Sequence, residues 1–409
     1  MLNIEAIRAQ FPALRRQVAG RPAVFFDGPA GSQVPQSVAD AVSHYLLHVN
    51  ANTHGSFVTA RESDAMLAEA SQAGADLVGA TDPDEITFGA NMTTLTFALS
   101  RAMAQTWSKG DQILCTRSEH DANVSPWLLA ARDAEVEVQF VPMRDDTTLD
   151  LDALDELLSD RTRLVAVGAA SNATGTRHPI ATITAKAHAH GAQVFVDAVH
   201  FAPHALMDVT AWGCDFLACS PYKFFGPHVG LLWGRREFME ALPAYRVRPA
   251  SNEIPDRWMT GTQNHEGIAG TIAAIDYLAS LANTDESLSR RQALALAFEE
   301  IKQHETTLLQ RLMTGLAELD KITVWGIRQP DRLAERLPTV SFTHTDHTAL
   351  AIAQKLGERG VFVWDGNYYA LEVTQSLGLE PDGMVRVGLL HYNTEREVEY
   401  LLGALRALG

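Results

Sequence analysis

The hydrophobic positions of this chain fall into two rhythms. Short, nearly continuous apolar runs such as QILC, RLVAVG, QVFV and DFLAC end in polar residues, and between them lie stretches whose apolar residues recur three and four apart. From Ile86 to Trp233 the two rhythms alternate. A strand at Ile86 leads into a helix whose first residues include Thr93 and Thr94. A second strand reaches Thr116, and Ser125 and Pro126 read as the cap and first-turn residue of the helix after it. EVEVQFVPM predicts a strand, LDLDALDELLSD a helix, and RLVAVGAAS a strand ending at Ser171 and Asn172. ITAKAHAHGAQ predicts a helix closed by Gly191, and the next strands end at Asp197 and Ser220. Such alternation predicts a mainly parallel sheet with helices on both faces.

The flanks read differently. MLNIEAIRAQFPALRR predicts a short amphipathic helix packed on the body, and Val34 to Val49 another helix. His265 to Leu281 and Asp285 to Leu319 predict two long helices, the second, with charges between its apolar positions, suited to bridging domains. From Ile322 the strands ITVWG, PTVSFTH, GVFVWDG and MVRVGLL mix with the helices HTALAIAQKLGERG and TEREVEYLLGALRAL, which predicts a small α+β domain. The expected division is therefore a helical segment at 1–22, a large domain at 23–262, and connecting helices with a small C-terminal domain at 263–409.

Composition narrows the function. A chain of 409 residues with 46% hydrophobic residues fills more than one core. The net charge of -17 argues against nucleic acid and against an anionic membrane surface as partners. Cys115, Cys214 and Cys219 form no C-x-x-C pair, so neither a disulfide framework nor a metal site is expected, and the reducing cytoplasm is the expected compartment. His188 and His190, two positions apart, share no helical face and read as solvated. The N-terminus reads as neither a signal peptide nor a membrane span.

The chemistry lies in the polar strand ends. Ligands of open α/β sheets bind beyond the carboxyl ends of the strands. Asp197 and Lys223, 26 positions apart, can face one crevice there. A lysine and a carboxylate are what pyridoxal 5′-phosphate (PLP) requires, the amine for a Schiff base with the aldehyde and the acid to keep the ring nitrogen protonated. The helix start at Thr93 and Thr94 suits the phosphate, although threonine there is also an ordinary cap. Ser220 can donate to the same phosphate. The loop in AVFFDGPAGSQ permits close backbone approach to a ligand or is a plain turn. Arg386, a charge within the apolar MVRVGLL, needs an anionic partner; a substrate α-carboxylate or a structural ion pair would serve.

VDAVH, SPYKFFGPHVG, SEHDANVSPW and VRVGLLHYNT, in this order, resemble the class V aminotransferase-fold enzymes of the cysteine desulfurase-like group, over nearly the whole chain. The resemblance implies the α/β architecture of PLP-dependent fold type I, the aspartate aminotransferase-like arrangement, with PLP as cofactor. It implies that Lys223 carries the coenzyme, that His120 stacks on its ring and moves protons, and that Asn172 contacts the ring hydroxyl and the substrate carboxylate. His200 stands where the desulfurases have a ring-contacting glutamine, and Tyr222 replaces their histidine before the lysine. His54 matches an active-site loop histidine, a solvated loop histidine being the equal alternative. Gly261 and Thr262 resemble a pair that reaches the neighbouring subunit's phosphate, which implies a homodimer with active sites at the interface.

One departure bears on the reaction. Where the desulfurases carry a nucleophilic cysteine, this chain has Tyr368 and Tyr369, and no cysteine follows Cys219. The expectation is therefore action at the β-carbon of a small α-amino acid without that thiol. The routes are β-decarboxylation or desulfination through an enamine, with possible C–C bond formation to an aldehyde or keto co-substrate, or C–S β-elimination. A class V aminotransferase, or a cysteine desulfurase or selenocysteine lyase-like enzyme, is the alternative. Trp364, Asp365 and the two tyrosines could shape a co-substrate pocket or merely pack. Arg61, Arg246, Arg248 and Arg257 are all candidate cations for a second carboxylate.

Overall fold

The computed structural model describes residues 2–282 and 287–408. Beyond a two-residue antiparallel pair at Gln17–Val18 and Arg21–Pro22, its strands are β1 Val24–Phe25, β2 Ile86–Gly89, β3 Gln112–Thr116, β4 Glu137–Val141, β5 Thr162–Gly168, β6 Gln193–Asp197 and β7 Phe216–Cys219. They continue with β8 Gly230–Gly234, β9 Ile322–Trp325, β10 Thr339–His344, β11 Val361–Phe362, β12 Trp364–Gly366 and β13 Met384–Gly388. Seven of them form one sheet in the order β2-β8-β7-β6-β5-β3-β4. Only β8 runs against its neighbours.

The period of two explains why these runs are apolar throughout. On β5, Leu164 and Ala166 pack into one core while Val165 and Val167 pack into the core on the opposite face. The edge strand β4 is half-exposed over most of its length. A small antiparallel sheet, in the order β9-β10-β13-β12, has its own core with the helix Ala349–Glu358 and parts of the helices Arg290–Ala317 and Glu395–Arg406.

Several expectations need correction. Val34 to Val49 is a helix only over Gln36–His44 and then widens into a π turn at Tyr45–Val49. The N-terminal segment is split into the helix Ile4–Ala9 and a 3₁₀ turn at Pro12–Arg15, between which Phe11 is buried against Phe225, Tyr277 and Tyr392. Ser125 is not a cap: Val124 holds that position, and the Ser125 hydroxyl donates to Asp121 at 2.6 Å. The second long helix runs Arg290–Ala317 behind a capping box of Ser289 and Gln292; Asp285 lies outside the described residues. GVFVWDG is two strands, since β11 pairs in parallel with β1 while β12 joins β13. Val24 and Phe26, expected in the large domain, thereby pack in the C-terminal core. His188 is not simply solvated, for its Nε2 lies 2.8 Å from Asp215. No helix among the described residues is long and apolar enough to cross a membrane.

Candidate active site

Strands β2, β3, β5, β6 and β7 all end on one side of the sheet, and the segments that follow them line one pocket. β2 leads to Asn91, whose side chain caps the helix Met92–Ala104. Thr93 lines the pocket, while Thr94 is exposed and closes the capping box with Asn91. The expectation for Thr94 is corrected accordingly: its hydroxyl serves the helix start and does not face the pocket. Ser220, after β7, accepts the Met92 N–H at 3.2 Å and so ties two strand ends together.

Asp197 ends β6, buried, and accepts the Val199 N–H at 2.8 Å. Burial pushes its carboxyl up to about 6, against the pull of that hydrogen bond and of Lys223. Lys223 is buried as well, and its ammonium donates to the Pro29 carbonyl. Burial, aided by Arg386 and opposed by Asp197, brings it down to about 7. A lysine so placed is neutral in a large fraction of molecules near neutral pH.

His120 follows β3. Its Nδ1 accepts the Ala122 N–H at 3.0 Å, which leaves the proton of the neutral ring on Nε2. Burial, with Lys223 and Arg386 nearby, pushes it down to about 4. His200, three residues past Asp197, is buried and held well below the usual imidazole range, first by burial and then by His204. Asn172, after β5, donates from Nδ2 to the Tyr368 carbonyl at 3.0 Å, and its own carbonyl accepts from Arg386 Nη1 at 2.9 Å.

Three atoms of this group lack what buried polar atoms normally have. Asn172 Oδ1, His200 Nε2 and Arg386 Nε are buried without a hydrogen-bond partner among the described residues. Arg386 has no carboxylate within ion-pair distance among the described residues, so the structural ion pair is not made. A helix start with a threonine and a serine, a carboxylate, a near-neutral lysine and unsatisfied donors and acceptors fit a phosphorylated pyridine aldehyde with an amino-acid carboxylate beside it.

Other expected residues lie elsewhere. His54 is exposed and its backbone N–H donates to Asp64 at 3.0 Å, so the structure does not bring it into the pocket. Thr262 and Gly261 are exposed and away from this chain's own pocket. Arg61, Arg246 and Arg257 donate to backbone carbonyls, Arg248 is exposed, and none lines the pocket. Two carboxyls went unrecognised in the sequence. Asp27, at the end of AVFF, is pushed up to about 6 by burial, and its Oδ1 has no hydrogen-bond partner among the described residues. Glu119, one residue before His120, lines the pocket and is pushed up to about 7 by burial, although Thr116, Asn123 and the Gly168 N–H all donate to it. The polar-strand-end rule that found Asp197 applies equally to Asp27.

Fold and pocket together define a PLP-dependent enzyme of fold type I. A model of the family described as aminotransferase class-V matches residues 24–401, and the chain belongs to that family. It is similar to a cysteine desulfurase of Pectobacterium carotovorum, 30% identical over 421 residues covering 99% of this chain and 98% of the relative. It is also similar to a probable cysteine desulfurase of Vibrio cholerae, 32% identical over 419 residues with the same coverage. Among solved structures, an apo cysteine desulfurase from Thermococcus onnurineus superposes with a TM-score of 0.89 at 27% identity, covering 100% of this chain and 98% of that one. A cysteine desulfurase from Escherichia coli gives 0.85 at 26%, covering 100% and 99%.

Proposed function

We propose that this chain removes or replaces a substituent at the β-carbon of a small α-amino acid without a protein thiol as nucleophile. The observation that carries the reading is the placement of sulfur. Cys115, Cys214 and Cys219 are fully buried in the apolar cores, where burial pushes each thiol far up, while the residue lying over His120 is Tyr369.

PLP, when bound, supplies an electron-withdrawing ring joined to the substrate's amine. Asp197 would keep the proton on the ring nitrogen, and His200 would meet the ring oxygen with its unpartnered nitrogen. Thr93, Ser220 and the helix start would hold the phosphate. Lys223, near-neutral, would take the proton from the substrate's Cα and return one after the β-substituent has left. Arg386 would grip the α-carboxylate with Asn172 beside it, and His120 would cover the ring and pass protons from Nε2.

Loss of CO2 from aspartate, with a solvent proton replacing it, gives alanine. Loss of SO2 from cysteine sulfinate gives the same product. An aldehyde in place of that proton would yield a new C–C bond, and β-elimination of a thiol would yield pyruvate and ammonia. The names of the curated relatives favour a second reading, sulfur or selenium removal from cysteine or selenocysteine. The family name leaves a third, transamination. The test is incubation of the PLP-loaded protein with aspartate, cysteine sulfinate and cysteine separately, with CO2, sulfite, sulfide, pyruvate and alanine measured. Alanine with CO2 or sulfite supports the proposal. Rapid sulfide with alanine from cysteine overturns it, and conversion of the coenzyme to its amine form by an amino acid alone points to transamination.

The second copy of the chain belongs to the same proposal. An open apolar groove lined by Val34, Val42, Leu46 and Leu47 shares Tyr222 with the pocket. A homodimer closing it would put the sites at the interface, where Thr262 of one copy would reach the phosphate of the other. Light scattering that finds only monomer at micromolar concentration would remove this part.

A further inference from the structure

The loop between β12 and the helix Leu371–Ser376 holds two consecutive residues in left-handed backbone, Tyr368 at φ 56° and Tyr369 at φ 59°. Residues with a Cβ rarely adopt this conformation, and it persists only where the surroundings overdetermine it. Here they do. Asn172 Nδ2 donates to the Tyr368 carbonyl at 3.0 Å, and the Asp121 N–H donates to the Tyr369 carbonyl at 2.6 Å. The Tyr368 hydroxyl donates to the Met384 carbonyl, and its ring covers the guanidinium of Arg386. The strap is thus fastened to the segments that carry Asn172, His120 and Arg386.

Its outermost part is the Tyr369 ring. That ring is 72% exposed, yet it lies stacked on His120 with centroids 5.5 Å apart and planes 23° from parallel. Burial does not explain why a large aromatic is held there on strained backbone. An imidazole has two faces, and Tyr369 occupies one while His120 lines the pocket. The bond from the Ala122 N–H to Nδ1 fixes one ring nitrogen but leaves the ring free to tilt about it. A stacked partner stops the tilt.

We propose that Tyr369 is a positioning residue, which clamps His120 flat for the coenzyme ring. The proposal rests on the reading that His120 lies on PLP. The clamp stands where the resemblance puts a reactive thiol, so the same strap would exclude sulfur acceptance at this point.

The test compares the wild type with Tyr369→Phe, Tyr369→Ala and Tyr369→Gly, each loaded with PLP. The readouts are the rate of coenzyme loss to an excess of scavenging apo-enzyme and the induced circular dichroism of the coenzyme band. Aromatic stacking of this kind corresponds to about two- to tenfold in such a rate. Tyr369→Phe should release coenzyme as slowly as the wild type, while Tyr369→Ala and Tyr369→Gly should release it about two- to tenfold faster with a weakened dichroic band. Coenzyme-free Tyr369→Gly should unfold at the same or a higher temperature, because glycine accepts positive φ without strain. Equal release from Phe and Ala variants, or a lower melting temperature of coenzyme-free Tyr369→Gly with unchanged release, overturns the clamp. If the release ranking holds and no β-carbon chemistry is found, the clamp stands and the proposed reaction falls. If β-carbon products form and all four proteins release coenzyme alike, the clamp alone falls.

Discussion

The guanidinium carbon of Arg386 lies 4.1 Å from the centre of the Tyr368 ring, and among the described residues no carboxylate comes within ion-pair distance of Arg386. A buried cation that meets an aromatic face and a backbone carbonyl, with Asp27 acting on it only from beyond ion-pair distance, is incompletely compensated. A substrate carboxylate supplies a close counter-charge.

Replacement of Arg386 by methionine should therefore act in opposite directions on stability and on binding. The coenzyme-free protein should melt at a higher temperature, because a buried charge that Asp27 compensates only from a distance is gone. The KM for the amino-acid substrate should rise about 10- to 100-fold, corresponding to the loss of charged hydrogen bonds of about 1.5–3 kcal/mol. Calorimetry and steady-state kinetics on the same preparation check both signs, and a variant that melts lower with unchanged KM would return Arg386 to a purely structural role.

Asp197→Asn should separate chemistry from binding. The amide keeps the acceptor for the Val199 N–H but cannot hold a charged ring nitrogen. Breaking one partner of a buried ion pair costs about 3–5 kcal/mol. If that cost falls mainly on the reaction, kcat should drop at least about 100-fold while coenzyme affinity changes far less. Absorbance titration with PLP against turnover of the variant distinguishes the two effects.

How much of this was legible in the sequence follows from how local each contact is. Asp197, Asn172 and Ser220 stand out because an apolar strand has no use for a polar end, and each lines the pocket. The alternation from Ile86 to Trp233 likewise reflects strands buried on both faces. Contacts between distant segments left no such mark. The break of GVFVWDG at Val363 arises because β11 pairs with β1, more than 300 positions away, and no local pattern announces that partner. For the same reason the stack of Tyr369 on His120 was invisible. Thr94 shows the opposite failure: the local signal was real but belonged to a capping box.

Lys223 makes the coenzyme-free protein more stable as the pH rises into the alkaline range. Its ammonium is depressed from 10.5 to about 7 in the folded chain, so the folded state gives up this proton more readily than the unfolded one. The contribution to stability is then complete above the unfolded value and is lost as pH falls through the folded one, a rise in stability between pH 7 and 10.5. Lys223→Met should lack this term. The difference in urea-unfolding free energy, wild type minus variant, should grow by on the order of 5 kcal/mol across that window. A difference independent of pH would mean that Lys223 is charged in the folded protein throughout. Borohydride treatment of the PLP-loaded wild type should also fix the coenzyme on the peptide containing Lys223, and the methionine variant should fix none.

His204 and Glu305 form a second buried pair, 2.9 Å apart with side chains 2% and 3% exposed, linking the turn after His200 to the helix Arg290–Ala317. Their hydrogen bond is His204 Nδ1 to Glu305 Oε2, and Glu305 Oε1 makes no hydrogen bond of good geometry among the described residues. Burial raises the carboxyl of Glu305, and His204 opposes it. Removing one partner leaves the other desolvated, so Glu305→Ala should destabilise the protein by about 3 kcal/mol or more. Replacing both with apolar residues of similar size, His204→Phe with Glu305→Leu, should cost less than the sum of the single changes, because no stranded polar group remains. His200 packs edge-on to His204 with centroids 5.6 Å apart, so the single Glu305 variant should also disturb the coenzyme band. A double-mutant cycle by urea unfolding, read alongside the PLP spectrum, checks both. Additive costs with an unaltered spectrum would mean that the pair supports neither the fold nor His200.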